Sequence, residues 1–258
     1  MPVSPWSRCA LLMNISILKI VAISVLFCPG ASLTAYAQSP SNEEVLRRAA
    51  ENEVKLRAAE LQYVYRLNVL VQTFGQGGRV SAELRRVSDV IYDDLGNRTE
   101  KILEYPPSRL ATRLGITRPD FKSLLGVEPF FLTPDTLPQY SIKFVEREQL
   151  GTINSYVFEV EPAGPRPKSS PKDNRPFIGR IWVGDHDFQI VKIEGKAVVA
   201  KDDDGAFPKF TCSRSYVDGK WWLPGVVSAR DLLEFKRFDI SINVEIEYAN
   251  YKRVPSRR

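Results

Sequence analysis

Histidine is almost missing from this 258-residue chain, which has one, and cysteine is scarce at three. Each shortage excludes something. The one His, His186, sits between Asp185 and Asp187 in a sequence that reads as a tight turn. A nucleophilic hydrolase needs a nucleophile held against a base. The chain has no G-x-S-x-G elbow, and nothing in the sequence brings Cys212 to His186. His186 therefore reads as a solvated turn residue. A metal site is equally unsupported. Asp185, His186 and Asp187 are consecutive, so their side chains diverge, and Asp202-Asp203-Asp204-Gly205 lacks the alternate spacing of a calcium loop. The glycines Gly75, Gly77 and Gly78 join strand to strand, not strand to helix, so they do not read as a phosphate loop. No apolar run approaches the ~20 residues of a membrane-spanning helix outside the N-terminus, which excludes a polytopic membrane protein. The formal charge of +5 is spread among interleaved acids and bases, with no basic stripe, and this points away from nucleic acid.

What is present begins with an address. Arg8 and Lys19 are the only charged residues before Glu43. The largely apolar run Ile20 to Cys28 has the length of a signal core, and Ala35-Tyr36-Ala37 fits an A-x-A cleavage site. Residues 1–37 are expected to be a signal peptide, with Met13 a possible true start. An uncleaved membrane anchor is the rival reading. A lipoprotein signal fits less well, because Cys28 follows Phe27 where a small residue is needed. Cleavage would leave Cys212 alone, so no intramolecular disulfide would form and the fold would depend on a core. A hydrophobic content of 43% supports one.

Residues 41–61 read as a helix, opened by the capping box Ser41/Glu44. Glu43–Arg47, Glu44–Arg48, Glu51–Lys55 and Glu53–Arg57 are spaced to pair along it. Its apolar face is thin, and Glu53 and Arg57 intrude, so it is expected to lie on a surface or cap something and not to be a core helix. Strands follow at 63–74, 79–93 and 98–105, with a parity shift near Arg85–Arg86 that suggests a bulge. Pro106-Pro107 ends this run. Thr117 to Leu125 reads as a short helix and Thr133-Pro134 as a second helix start. Strands resume at 139–147 and 152–161, and a loop with five prolines spans Pro162 to Pro176. Strands at 177–184, 187–199, 207–217 and 220–230 come next, with Asp218-Gly219 as a hairpin turn. Strict alternation runs from Ile240 to Tyr248. The expected fold is mainly β (α+β): an open, strongly curved antiparallel β-barrel with an N-terminal helix and short lid helices. The domain would span 41–258, with 162–176 as a surface loop.

A curved sheet with one apolar face must be covered or must bind something. Aromatic residues are spread over strands and the interrupting segment. Leu124, Leu125, Phe130 and Phe131 are expected to form a lid, and Trp182 and Trp222 to line the concave face of an apolar ligand cavity. An acyl chain of about fourteen carbons would gain on the order of 10 kcal/mol there.

The order of elements carries a resemblance. Tyr156-Val157-Phe158-Glu159-Val160 is followed by Gly179-Arg180-Ile181-Trp182-Val183-Gly184-Asp185-His186-Asp187-Phe188. Then come Tyr216-Val217-Asp218-Gly219-Lys220-Trp221-Trp222 and a closing strand ending Tyr248-Ala249-Asn250-Tyr251-Lys252. With the signal and N-terminal helix, this resembles bacterial outer-membrane lipoprotein-sorting-like proteins of the LolA/LolB/RseB superfamily. The resemblance implies an open barrel with a helical lid over a hydrophobic cavity. It also implies periplasmic work on lipids or lipidated proteins, or the sensing of them for an envelope membrane protein. It implies no catalysis and no cofactor.

Overall fold

The structure is a computed structural model and describes residues 40–93, 95–110, 130–164, 176–198, 208–235 and 238–254. The expected signal peptide, the helix at 117–125 with Leu124 and Leu125, most of the proline-rich loop, and Asp202–Asp204 lie outside the described residues.

One helix, α1 (Asn42–Glu60), precedes ten strands. They are β1 (Tyr63–Phe74), β2 (Val80–Tyr92), β3 (Arg98–Glu104), β4 (Tyr140–Leu150), β5 (Ile153–Pro162), β6 (Phe177–Gly184), β7 (Ile190–Ala197), β8 (Phe210–Val217), β9 (Trp221–Phe235) and β10 (Phe238–Arg253). All pair antiparallel in one sheet of order β3-β2-β1-β10-β9-β8-β7-β6-β5-β4. β3 and β4 end that order, so the sheet is open, as expected.

Local chemistry explains the elements. The Ser41 side chain accepts from the Glu44 backbone N–H at 3.2 Å and caps α1. Glu44 accepts from both Arg47 and Arg48, and these two cations hold its carboxyl down at about 2. The β8–β9 turn has Asp218 at φ 51° and Gly219 at φ 64°, the double left-handed geometry that an Asp-Gly pair favours. Thr133 caps the turn at 133–136 by accepting from the Thr136 N–H. Only a single 3-10 turn, Leu137–Gln139, follows it before β4.

The helix expectation needs correction in two respects. α1 caps the sheet, but its inner side is part of the core: Val45, Ala49 and Ala50 have no exposed surface and belong to the main apolar cluster. Glu53 does not pair with Arg57. It is buried, and its carboxylate receives both Nη atoms of Arg214 on β8, one at 2.8 Å. The apparent flaw in the apolar stripe is thus a buried ion pair.

The suggested bulge at Arg85–Arg86 is also absent. β2 keeps an unbroken register against β1 from Tyr65↔Val90 to Thr73↔Ala82, and its irregularities fall between Thr73 and Phe74 and, toward β3, between Val87 and Ser88. The parity shift has another cause. Arg86 and Ser88 occupy inward positions on β2 opposite Val69 and Leu67, where an apolar residue was expected.

Candidate functional site

Directly opposed residues of an antiparallel pair share a face, so the registers trace a row across the sheet. From β4 to β2 it runs Phe144, Phe158, Ile181, Ile193, Cys212, Val227, Ile246, Val69 and Arg86. Seven consecutive members, Phe158 through Val69, belong to the same buried cluster as α1. This is the inner face.

At the β4 end the inner face is aromatic. Phe144 meets Tyr156 and Phe158 edge to face, at 6.4 and 5.9 Å between ring centres. Phe158 and Tyr156 are buried, yet Phe144 is 41% exposed. Arg147 lies over the Tyr156 ring at 4.2 Å. One row along, Gly179 and Gly195 face each other across β6 and β7. A Cβ on either would strike the opposite backbone and the Phe177 ring, so the missing side chains are what let that ring lie flat on the sheet. Phe130 stacks on Phe177 at 4.4 Å and meets Tyr140 edge-on at 5.2 Å.

At the β1–β3 end the inner face is polar. Tyr65 packs on Tyr248 and Tyr251 at 5.6 and 5.2 Å, and the Tyr92 hydroxyl donates to Glu60 at 3.2 Å. Burial pushes the Tyr65, Tyr92, Tyr248 and Tyr251 hydroxyls up from their ordinary range, so they stay neutral. Burial likewise pushes the Cys212 thiol up to about 11, which leaves it protonated and unreactive.

The sequence candidates fall in three places. Phe130 and Phe131 lie on the inner side: Phe130 on the sheet, Phe131 beneath Arg57 of α1 at 4.0 Å. Trp182 does not line the inner face. It lies between Ile181 and Val183, which face α1, so it points the other way, into a separate cluster with Val157 and Val191. Trp222 packs against that same cluster. Both indoles are satisfied there, Trp182 donating to Glu148 at 2.7 Å and Trp222 to Asp187 at 3.0 Å. Period-two reading failed at β6 because Ile181, Trp182, Val183 and Gly184 are all buried, so both faces look apolar. His186 sits exposed in the β6–β7 turn, which Asn52 of α1 pins by donating to the carbonyls of Asp187 and Phe188. Among the described residues no group of three or more His, Cys, Asp or Glu is placed to hold a metal ion.

Phe144, Tyr156, Phe158 and Phe177 are not among the cavity candidates that the sequence offers. Their signal was present: Tyr140, Ile142 and Phe144 alternate, as do Tyr156, Phe158 and Val160. A separate cleft of about 160 Å³ lies near the end of α1, lined by Tyr63, Asp218, Lys220 and Trp221 among others. It is smaller than the ~300 Å³ at which ligand pockets begin, so it is no acyl cavity.

No protein-family model matches the chain, and none of the curated proteins does. Solved structures show likeness in fold. A LolA superfamily protein from Nitrosomonas europaea is 12% identical over 81% of this chain and 95% of its own, with a TM-score of 0.33. A DUF1329 family protein from Desulfovibrio piger is 13% identical over the same shares, at 0.36. A chain of the Pseudomonas aeruginosa MucA/MucB complex is 10% identical over 80% of this chain and 99% of its own, at 0.24.

Proposed function

We propose that this chain is an exported binding protein of the cell envelope, working in the periplasm, that shelters the acyl part of a lipid or lipidated protein against the inner face at β4–β6. One observation supports this most. Phe144 continues the buried row through Phe158 and Ile181, yet stands 41% exposed. The exposed ring is apolar surface at the open end of a buried row, against which an apolar guest can pack. Each buried CH₂ would add ~0.8 kcal/mol. Phe130, Phe131 and Leu132 form the described part of the cover, tied to the sheet through Phe177 and to α1 through Arg57.

Native mass spectrometry of the protein purified from its own envelope tests this reading. The expected spectrum carries a mass adduct of a lipid or a lipidated chain. A bare protein in every preparation contradicts it.

A second reading is a regulatory module that docks a membrane-bound partner. The open edges of β3 and β4 favour it, because an unpaired edge accepts an added strand. An unlipidated protein in the same spectrum would select it.

A further inference from the structure

The inner row ends in charge. After Ile246 and Val69 its next member is Arg86, and two residues along β2 lies Ser88. Ser88 has no exposed surface, and the Arg86 side chain is only 20% exposed. Arg86 Nε and Ser88 Oγ are both buried and find no hydrogen-bond partner among the described residues. A buried donor left unmade is costly, and such groups call for an acceptor.

The surroundings define which acceptor. Arg86 Nη2 lies 3.3 Å from Glu100 Oε2 on β3, and the other oxygen of Glu100 is held by Arg98. Two guanidiniums thus share one carboxylate, and Glu60 beside Tyr92 brings the charges of the group into balance, so what is left over is an unmade donor rather than excess charge. Glu60 is occupied by the Tyr92 hydroxyl. The two residues lie ~7 Å apart along the strand, a span that one oxyanion can bridge between a long guanidinium arm and a short hydroxyl. Leu84 and Val90, both buried, flank the pair on β2, and Ile102 opposite Ser88 is 55% exposed. The polar spot therefore has an apolar wall.

We propose that Arg86 and Ser88 form an oxyanion site, taking the carboxylate or phosphate of an amphiphile, with Glu100 and Arg98 positioning Arg86. The tail of that amphiphile rests on the acyl-binding reading above; the oxyanion contact does not.

The test uses the purified protein with inorganic phosphate, palmitate and methyl palmitate, each by thermal shift and calorimetry. The expected result is a rise in melting temperature with millimolar phosphate, and palmitate binding at least about tenfold tighter than its methyl ester, the worth of one charge-assisted hydrogen bond. Both effects should vanish in Arg86→Gln and weaken in Ser88→Ala. They should persist in Arg85→Gln, whose side chain is 62% exposed on the opposite face and paired with Glu83. Arg86→Lys keeps the charge without the Nε donor and should lose most of the preference, which guards against a folding defect in Arg86→Gln. A palmitate preference alone assigns the site to a lipid head group. A phosphate response with neither palmitate nor its ester binding keeps the site and overturns the acyl reading. Absence of both effects, or their survival in Arg86→Gln, overturns the site.

Discussion

Glu53→Ala is expected to destabilise the protein by about 3–5 kcal/mol, read as a drop in the urea unfolding midpoint. Glu53 is 1% exposed and takes both Nη atoms of Arg214, which also donates to the Ile190 carbonyl at 3.1 Å. Removing the carboxylate leaves a guanidinium buried between α1 and β8 without its counter-charge. Without Glu53 the burial that opposes the Arg214 charge loses its main counterweight, yet a guanidinium is too basic to lose its proton, so the cost stays. The double variant Glu53→Met/Arg214→Met removes both charges together and should recover most of the loss, because an apolar pair of similar size needs no desolvation of ions. A loss in the double variant as large as in the single one would mean that α1 is held by something other than this pair.

Gly179→Ala and Gly195→Ala should each destabilise by about 1–3 kcal/mol, as overpacking does, or by more if the strands must part. At Gly179 a Cβ would meet the Glu194 carbonyl, and would come within 2.7 Å of the Phe177 ring; at Gly195 it would meet the Ile178 carbonyl and the same ring at 2.6 Å. Backbone and ring cannot both yield without disturbing the Phe130 stack. Gly195→Ala in a Phe177→Leu background should cost less than in the parent, because the ring contact is gone and only the carbonyl contact stays. Equal costs in both backgrounds would show that Phe177 does not lie in this slot.

Most strands were legible because their alternation is strong and their turns carry distinctive residues. Asp218-Gly219 and the Tyr63–Phe74 and Phe177–Gly184 strands stand where the pattern places them. The start of α1 was equally readable from Ser41. The site was much less so. A sheet with one apolar face puts Trp182 inward, but face is set by register, and β6 is apolar on both sides. Glu53 and Arg86 looked like flaws in apolar patterns. Their partners, Arg214 and Glu100, are brought in by the sheet from 161 and 14 residues away, beyond the reach of any local pattern. Phe144 alternates with Tyr140 and Ile142, but Val145 beside it is also apolar, so its inward aim shows only when Phe158 is seen opposite it.

The central claim is that the β4 end of the inner face accepts an apolar guest, and titration with an apolar fluorescent probe such as N-phenyl-1-naphthylamine tests it most directly. Saturable enhancement in the parent protein, reduced at least about tenfold in affinity by Phe144→Asp through loss of apolar contact and introduction of a charge, is the predicted result. Val226→Asp, at a 47% exposed position outside the main apolar cluster, should leave the titration unchanged. Absence of probe binding in the parent, or equal binding in the Phe144→Asp protein, would contradict the account.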